Sequence, residues 1–331
     1  MTRSSISVIG GGAWGTALAQ TLSSSGHTVT LWARNREVVE GINQRHVNPV
    51  YLPGHSLSKD IRATASLKDA AAGDTVLLVT PAQHVRTVVG ELAHYAKLAQ
   101  PLVMCAKGIE QATGKRMGEV IAEVLPNATY AVLTGPSFAA DVARGLPTAL
   151  TLACRDEGVG RGLAETLSSR QMRLYWSNDV QGVELGGAVK NVLAIAAGIV
   201  SGRGLGASAH AALVARGFAE LRRFSEAMGA RPETLMGLSG LGDLILTCGS
   251  PQSRNMSLGR ALGEGQKLSE VLAGRSAVTE GVYTAAAVVR LARAKGIEMP
   301  IAEAVFAIVE GRLSVDEVIT SLMQRPLKAE D

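Results

Sequence analysis

Residues 7–22, SVIGGGAWGTALAQTL, decide the fold. An apolar strand pattern ends at Ile9, and Gly10, Gly12 and Gly15 follow in GxGxxG spacing at the start of an amphipathic helical pattern. In this context of strand, turn and helix, the spacing predicts a dinucleotide-binding turn rather than an ordinary connection. Gly10 would make the tight turn, Gly12 would let the backbone approach a pyrophosphate, and Gly15 would allow the helix to pack closely on the sheet. The amino end of the helix would then face the phosphates.

Short runs rich in β-branched residues alternate with helical patterns through the first half of the chain. The predicted strands are SISVIG, HTVTLWA, DTVLLVTP, PLVMCAKG, TYAVLTGP, TALTLAC and QMRLYWS. Such alternation predicts an α/β fold with a doubly wound parallel sheet. The strand pattern ends after Trp176, and Asn178, three residues before Gln181, predicts the cap of a long helical region. We therefore expect a dinucleotide-binding domain over residues 1–178 and a helical domain over residues 179–331.

Composition narrows the class of protein. The chain has 331 residues, of which 47% are hydrophobic and 19% charged, so we expect a sizeable core. The net charge of +4 comes from scattered basic residues, and only 4% of the chain is aromatic, so a small anionic ligand fits better than nucleic acid. The spacing of the three cysteines suggests neither a disulfide framework nor a zinc site. The apolar run at the start is too short for a signal peptide, and the most apolar stretch has Lys190 in its middle, which argues against a membrane span. We expect a cytoplasmic protein without membrane insertion.

The end of the second predicted strand indicates which dinucleotide is bound. Folds selective for NAD usually place Asp or Glu there to hold the ribose hydroxyls, whereas this chain has Arg34 and Arg36. A guanidinium suits a phosphate, so the sequence favours NADP over NAD. The alternative is that both arginines merely begin a solvated helix.

Polar and special residues follow three further strands, where a doubly wound sheet carries its chemistry. They are Pro81, Lys107 and the run Gly135, Pro136 and Ser137. Lys107 would face the cofactor crevice, although a surface lysine is an equal alternative. Pro136 is predicted in the first turn of a helix, which would leave Ser137 free to hold an anion; a plain capped helix start would explain the same residues.

The segment LGGAVKNVLAI, residues 185–195, places Lys190 and Asn191 inside an apolar helix. Small neighbours such as Gly186 and Gly187 would leave room for a ligand beside the ammonium group. Desolvation or the charge of Lys107 would lower the pKa of Lys190 towards a range useful for proton transfer. A lysine that snorkels to solvent is the alternative.

A second polar cluster is predicted in residues 238–259, LSGLGDLILTCGSPQSRNMSLG. Here Arg254 could bind a phosphate through two N–H groups, and Asn255 could hydrogen-bond a hydroxyl. Ser253 directly precedes these two residues. Asp243 could take part or simply cap the helix LILTC. Glu280 lies in a similar break, for which composition gives no role. The dispersed histidines give neither metal-ligand spacing nor a Ser-His-Asp arrangement, so no metal is expected.

With these residues identified, the chain resembles the bacterial NAD(P)-dependent glycerol-3-phosphate dehydrogenases over essentially its whole length. The matching segments, in the family's order, are GGGAWGTALA, CAKGIE, LTGPSFAADV, VELGGAVKNVLAIAAG, ARGFAEL, LSGLGDLILTC, SRNMSLG and TEGV. The resemblance implies a Rossmann domain followed by an all-α domain, a homodimer, and reversible reduction of dihydroxyacetone phosphate to sn-glycerol 3-phosphate for phospholipid synthesis. Another two-domain hydroxyacid or sugar-acid dehydrogenase and an NADP-binding sensor are the alternatives; a sensor would need no buried proton donor.

The resemblance also implies residue roles, with Lys190 as the proton donor and acceptor. The residues implied around the substrate are Lys107, Gly135, Ser137, Asp243, Ser253, Arg254 and Asn255, and Asn191 would help to orient the substrate or the lysine. Those implied at the dinucleotide, besides the glycines, are Ala13, Trp14, Arg34, Lys107, Ala139, Arg254, Val278 and Glu280. The chain departs from the family at Ala13, where Ser is usual, and at Ala207 and Ser208, where Asp-Asn is frequent.

Overall fold

The structure is a computed structural model that describes residues 3–95, 100–274, 279–327 and 329. Within these residues, eight strands form one sheet in the order β3-β2-β1-β4-β5-β6-β7-β8. They are β1 (Ser5–Ile9), β2 (Thr28–Trp32), β3 (Ile61–Thr64), β4 (Thr75–Leu78), β5 (Leu102–Met104), β6 (Tyr130–Thr134), β7 (Thr148–Cys154) and β8 (Met172–Ser177). The order reverses direction at β1, as in a doubly wound Rossmann sheet, so the predicted α/β fold is confirmed.

The sheet is not parallel throughout. Strands β1 to β6 are parallel to their neighbours, whereas β7 pairs antiparallel with β6 and β8 follows β7 in parallel. The chain between β6 and β7 contains a helix of five residues, Ala139–Ala143, and β7 then runs back along β6. The prediction of a parallel sheet was therefore wrong for this one pair of strands.

The seven predicted strands are present, and an eighth, β3, was not predicted. It has four residues, IRAT, at the edge of the sheet, and Arg62 is exposed. A strand this short has too few alternating positions to give a periodic signal.

Helices cover both faces of the sheet. They are α1 (Ala13–Ser24), α2 (Arg36–Glu40), α3 (Leu67–Ala70), α4 (Val85–Leu92), α5 (Met117–Val124), α6 (Ala139–Ala143) and α7 (Glu157–Leu167), with a π-helical turn at Gly41–Arg45 and a 3₁₀ turn at Ala82–His84. On each face of the sheet, apolar side chains of the strands and helices pack together into one buried cluster. The parallel strands β1 to β6 thus bring their carboxyl ends to one edge, where the glycine-rich turn lies.

The rest of the chain is helical. It contains α8 (Val180–Gly202), α9 (Gly206–Ala227), α10 (Pro232–Met236), α11 (Asp243–Gly249), α12 (Arg254–Gly263), α13 (Leu268–Ala273), α14 (Glu280–Ala294), α15 (Pro300–Val309) and α16 (Val315–Met323), with a π-helical turn at Leu238–Gly242. The residue that caps α8 is Asp179, whose carboxylate accepts the backbone N–H of Gly182 at 2.9 Å. The predicted cap, Asn178, was wrong because its side-chain oxygen instead accepts a hydrogen bond from Arg231.

Helix α8 is the centre of the helical core. It is buried on all sides over almost its whole length, so it has no solvent-facing stripe. Among the described residues, this is the one helix that is long and apolar enough to cross a membrane, with a mean hydropathy of 1.6. Because 94% of that apolar stretch is buried by the rest of the chain, α8 is explained as the core helix of a folded domain.

Candidate active site

The glycine-rich turn joins β1 to α1 and needs glycine at two positions. Gly10 has a φ of 136°, and a Cβ there would lie 2.8 Å from the carbonyl carbon of Val79. A Cβ on Gly15 would lie 1.9 Å from the carbonyl oxygen of Gly10, so α1 closes onto the turn itself. By contrast, nothing lies within 4 Å of the Cβ position of Gly12. The turn therefore presents open backbone where a phosphate could approach.

A cavity of about 920 Å³ opens at this turn and extends between the sheet edge and the helical domain. Most of the residues that the sequence singled out line it: Gly10, Gly12, Ala13, Trp14, Gly15, Arg34, Lys107, Ser137, Ala139, Lys190, Asn191, Ser253, Arg254, Asn255 and Glu280. Gly135 and Asp243 do not line the cavity, although both contact Lys107. Val278 lies outside the described residues.

Two lysines share one carboxylate beside the cavity. Oδ1 of Asp243 accepts from Nζ of Lys190 at 2.7 Å, and Oδ2 accepts from Nζ of Lys107 at 2.6 Å. Lys107 also donates to the carbonyl oxygen of Gly135, and Lys190 donates to Oγ1 of Thr247 at 2.6 Å. Asp243 is the first residue of α11 and follows the cap residue Gly242, so its side chain serves the lysines and does not cap the helix.

Lys190 is buried, with 5% of its surface exposed, and this burial is the main influence on its pKa. Desolvation lowers its pKa to about 8; Asp243 opposes this change, and the charge of Lys107 adds to it. An ammonium group with this pKa is mostly protonated at neutral pH and can still release a proton to a substrate oxygen. Lys190 faces the cavity, so it does not snorkel to solvent.

The space beside Lys190 differs from the sequence expectation. A Cβ on Gly186 would lie 2.6 Å from the carbonyl oxygen of Ser239, and one on Gly187 would lie 2.9 Å from Oγ1 of Thr134. Both glycines therefore accommodate neighbouring protein segments. The prediction that they leave room for a ligand was wrong.

The amino end of α12 meets the cavity on another side. Ser253 caps this helix by accepting from the backbone N–H of Met256, and Arg254 and Asn255 form its first turn. The first turn contains no acidic residue, and unbonded backbone N–H groups at a helix start favour an anion. Asn255 is fixed by donating to Oδ1 of Asn191 and accepting from the backbone N–H of Gly281, each at 3.0 Å.

Glu280 joins the helical domain to the turn after β4. Its Oε1 accepts from the backbone N–H of Ala82 at 3.0 Å, and its Oε2 has no hydrogen-bond partner among the described residues. Burial raises the pKa of Glu280, and the neighbouring Arg254 guanidinium opposes that rise. Glu280 therefore presents one unsatisfied oxygen beside the cavity.

The structure separates the two arginines that follow β2. Arg34 is exposed and lines the cavity, whereas Arg36 begins α2, and Asn35 caps that helix by accepting from the backbone N–H of Glu37. Arg34 therefore lies at the cavity ahead of α2, while Arg36 lies in the first turn of that helix. Near β6, the predicted helix start at Pro136 was wrong, because α6 begins at Ala139 and leaves Ser137 in an extended segment.

Among the described residues, no group of three His, Cys, Asp or Glu side chains is placed to hold a metal ion. The three cysteines are buried and unpaired. The polar side chains that line the cavity carry ammonium, guanidinium, amide, hydroxyl, carboxylate and imidazole groups, the last from His55 and His84.

Comparison with known proteins assigns the family. The models of the NAD-dependent glycerol-3-phosphate dehydrogenase N-terminus and C-terminus match residues 5–159 and 179–320. The glycerol-3-phosphate dehydrogenase (NAD(P)+) of Parvibaculum lavamentivorans is 59% identical over 98% of each chain, and that of Caulobacter vibrioides is 56% identical over 100% of each. The chain belongs to the NAD-dependent glycerol-3-phosphate dehydrogenase family. The crystal structure of glycerol-3-phosphate dehydrogenase from Coxiella burnetii has a TM-score of 0.93 and 37% identity, covering 98% of this chain and 99% of that one.

The departures from the glycerol-3-phosphate dehydrogenase pattern lie in two places. Ala13 begins α1 and lines the cavity, where its methyl group offers no hydroxyl but leaves the backbone N–H groups in place. Ala207 and Ser208 are exposed near the start of α9 and do not line the cavity. The second departure therefore lies outside the cavity lining, two residues before His210, whose ring contacts the carbonyl oxygen of Cys248 on α11.

Sequence reasoning missed two hydroxyl groups at the site. Thr247 holds Lys190 and lies four residues after Asp243 on α11, so the helical spacing could have placed it on the same face. Thr80 lies two residues after the end of β4, is 6% exposed, and lines the cavity with a hydroxyl that has no partner among the described residues. Its position at a strand end was the available signal.

Proposed function

We propose that this protein catalyses the reversible NAD(P)H-dependent reduction of dihydroxyacetone phosphate to sn-glycerol 3-phosphate, with NADP preferred. The observation that carries the proposal is the buried Lys190 ammonium, held by Asp243 at the cavity that the amino end of α12 also reaches. A ketone that bears a phosphate needs a proton at one end and an anion site at the other, and this cavity offers both.

The cavity fits a dinucleotide at its other end. The open backbone at Gly12 suits a pyrophosphate, and the buried oxygens of Thr80 and Glu280, which have no hydrogen-bond partner in the described part of the chain, suit ribose or amide groups. The residues assigned to the dinucleotide are Gly10, Gly12, Ala13, Trp14, Gly15, Arg34, Lys107, Ala139, Arg254, Val278 and Glu280. The nicotinamide, when bound, supplies or accepts the hydride.

The chain's own residues then position the ketone and move one proton. The α12 amino end and Arg254 hold the phosphate, while Ser137, Asn191 and Asn255 offer hydrogen bonds to the remaining oxygens. Lys190 donates its proton to the carbonyl oxygen as the hydride reaches the carbonyl carbon, and it accepts the proton in the reverse direction. Asp243 keeps the ammonium protonated and aimed, Gly135 and Ser253 shape the binding site, and Lys107 balances the charge of the phosphate.

Further parts of the proposal concern the whole protein. We place the domain division at residue 178, between the end of β8 at Ser177 and the cap of α8 at Asp179. We further propose a cytoplasmic homodimer that supplies glycerol 3-phosphate to phospholipid synthesis. Sedimentation of the purified protein tests the dimer.

The activity is tested with the purified protein, NADPH and dihydroxyacetone phosphate. We expect the NADPH absorbance to fall only when the phosphorylated ketone is present, and to fall far more slowly with unphosphorylated dihydroxyacetone. Equal rates with the two ketones, or no oxidation of NADPH with either, would refute the proposed substrate. The product is checked by its own re-oxidation with NADP+.

A further inference from the structure

One face of α8 contacts the dinucleotide-binding sheet. Glu184, Gly187 and Asn191 lie on this face because they are spaced by three and four residues. Because Gly187 has no side chain, Thr134 of β6 and the stem of Lys107 approach α8 closely. A Cβ on Gly187 would lie 2.9 Å from Oγ1 of Thr134 and 3.4 Å from Cγ of Lys107. The helix that carries Lys190 is therefore in direct contact with the segment that carries Lys107.

Glu184 anchors this face with a buried carboxylate that accepts from three groups. Oε1 accepts from the backbone N–H of Gly118 at 2.6 Å and from the hydroxyl of Tyr130 at 2.7 Å. Oε2 accepts from Nη1 of Arg116 at 3.0 Å. Gly118 is in the first turn of α5 and Tyr130 begins β6, so all three donors belong to the dinucleotide-binding half of the chain.

The segment from residue 107 to 118 connects these donors to Lys107. It begins at Lys107, after β5, and returns on itself through a bridge between Ile109 and Arg116 and a hydrogen bond from the Glu110 N–H to the Lys115 carbonyl. Lys107 is at the start of the segment, and two of the three partners of Glu184, Arg116 and Gly118, are at its end. The contact of Glu184 thus fixes the position of this segment relative to α8.

We propose that Glu184 is a positioning residue, which holds α8 against α5 and β6 so that Lys190 and Lys107 meet at Asp243 beside the substrate. The inference rests on the proposed function. Glu184 does not line the cavity and does not contact either lysine, so its effect on catalysis passes through the placement of α8.

Loss of the Glu184 contacts would raise the pKa of Lys190. The groups that act on Lys190 are Asp243 and Cys248 of α11 and Lys107 of the sheet domain, and Lys107 lowers the pKa of Lys190. The groups that act on Glu184 are Arg116, Glu119 and Tyr130. If α8 loosens, Lys107 separates from Lys190 and Asp243 pairs with Lys190 alone, so the pKa of Lys190 rises.

The test compares Glu184→Gln with Glu220→Gln. Glu220 is also a buried carboxylate that accepts backbone N–H groups at a helix start, at Ile301 and Ala302, but both partners lie in the helical domain and it does not line the cavity. Both substitutions replace a buried carboxyl group, whose pKa burial raises, with a neutral amide of the same shape. Melting temperature, NADPH affinity, and kcat for dihydroxyacetone phosphate as a function of pH are measured for both.

We expect Glu184→Gln to lower kcat by about tenfold to a hundredfold, because a displacement of the order of 1 Å at reacting groups has this effect. The alkaline limb of its pH profile should move up by about half a unit or more. Glu220→Gln should lower the melting temperature yet keep the wild-type kcat and alkaline limb. Tyr130→Phe removes one of the three donors and should show the same changes to a smaller extent.

The outcomes separate this inference from the proposed function. Wild-type protein that does not reduce dihydroxyacetone phosphate overturns both. An active wild type with a folded Glu184→Gln variant of unchanged kcat and pH profile overturns only the positioning role, as does an equal loss in Glu220→Gln. If Glu184→Gln does not fold, Tyr130→Phe decides, and a wild-type pH profile and kcat in that variant refute the inference.

Discussion

Asp243→Asn is the substitution whose effect follows most directly from the structure. Asp243 is 1% exposed and pairs with both Lys190 and Lys107 through its two oxygens, so one negative charge serves two cations. Asparagine keeps the shape and one acceptor oxygen but removes the charge. Two neighbouring cations would then lack their shared counter-ion, and the buried Lys190 relieves the repulsion by losing its proton.

The magnitude can be worked from the general energy of one charge pair. Two unit charges about 4 Å apart interact by about 4 kcal/mol at an effective dielectric constant of about 20. This energy corresponds to about three pKa units, and entry of water reduces it, so we expect a decrease of about two to three units. The pKa of Lys190 would fall from about 8 to about 5 or 6. At pH 7 the protonated fraction would decrease roughly tenfold to a hundredfold.

The assay is kcat/KM for dihydroxyacetone phosphate at saturating NADPH as a function of pH. Reduction needs protonated Lys190, so the wild-type rate should fall as pH rises through about 8, and the Asp243→Asn rate should fall at a pH lower by about two to three units. The second ionisation of a phosphate, near pH ~6, affects both proteins equally. The ratio of the two profiles therefore removes the contribution of the substrate.

Thr247→Val is the matched control, because it removes a neutral hydrogen bond to Lys190 without changing a charge. We expect its alkaline limb to remain within about one unit of the wild-type position. NADPH binding verifies that each variant is folded. An alkaline limb of Asp243→Asn that stays at the wild-type pH, or moves to higher pH, would show that Asp243 does not control the protonation of Lys190.

Three further substitutions test individual roles. Lys190→Met keeps the length and removes the proton, so turnover should fall about a hundredfold to ten-thousandfold while NADPH binding persists; turnover within a few fold of wild type would contradict the general-acid role. Arg34→Asp should reverse or abolish a preference for NADPH over NADH, and equal specificity constants in the wild type would show that Arg34 does not select the cofactor. Arg254→Ala should weaken binding of dihydroxyacetone phosphate by about 1.5 to 3 kcal/mol and affect dihydroxyacetone less; an equal proportional loss on both would argue against phosphate recognition.

The sequence alone predicted the structural features that depend on short stretches of residues. The glycine spacing, the strand ends and the apolar helix each have a short-range signal, and these signals placed Gly12, Lys107 and Lys190 at one cavity. The strand β3 and the cap of α8 were missed or misplaced because their local signals are weak or shared by adjacent residues. The direction of β7 was missed because the alternation of strand and helix patterns does not report whether a strand runs parallel or antiparallel to its neighbour.

Contacts between residues that are far apart in the sequence could not be predicted from short-range patterns. Asp243 is 136 residues from Lys107 and 53 from Lys190, and nothing in the sequence indicated that one carboxylate serves both. Glu184 lies in a segment whose pattern indicates only a buried helix, and its three donors come from residues more than fifty positions earlier. Such pairings follow from the packing of the two halves of the chain, and a single sequence gives no measure of that packing.

The small residues of α8 show how packing and chemistry are joined in this protein. A Cβ on Gly198 would lie 2.0 Å from the carbonyl oxygen of Met256, and one on Gly259 of α12 would lie 1.9 Å from the carbonyl oxygen of Ile195. The two backbones are therefore in contact, which only residues without side chains permit. Lys190 precedes this crossing on α8 and Arg254 begins α12, so the crossing fixes how the two helices place these side chains. Under the proposed function, the small residues would help to set the separation of the proposed proton donor and the proposed phosphate site, although they do not line the cavity.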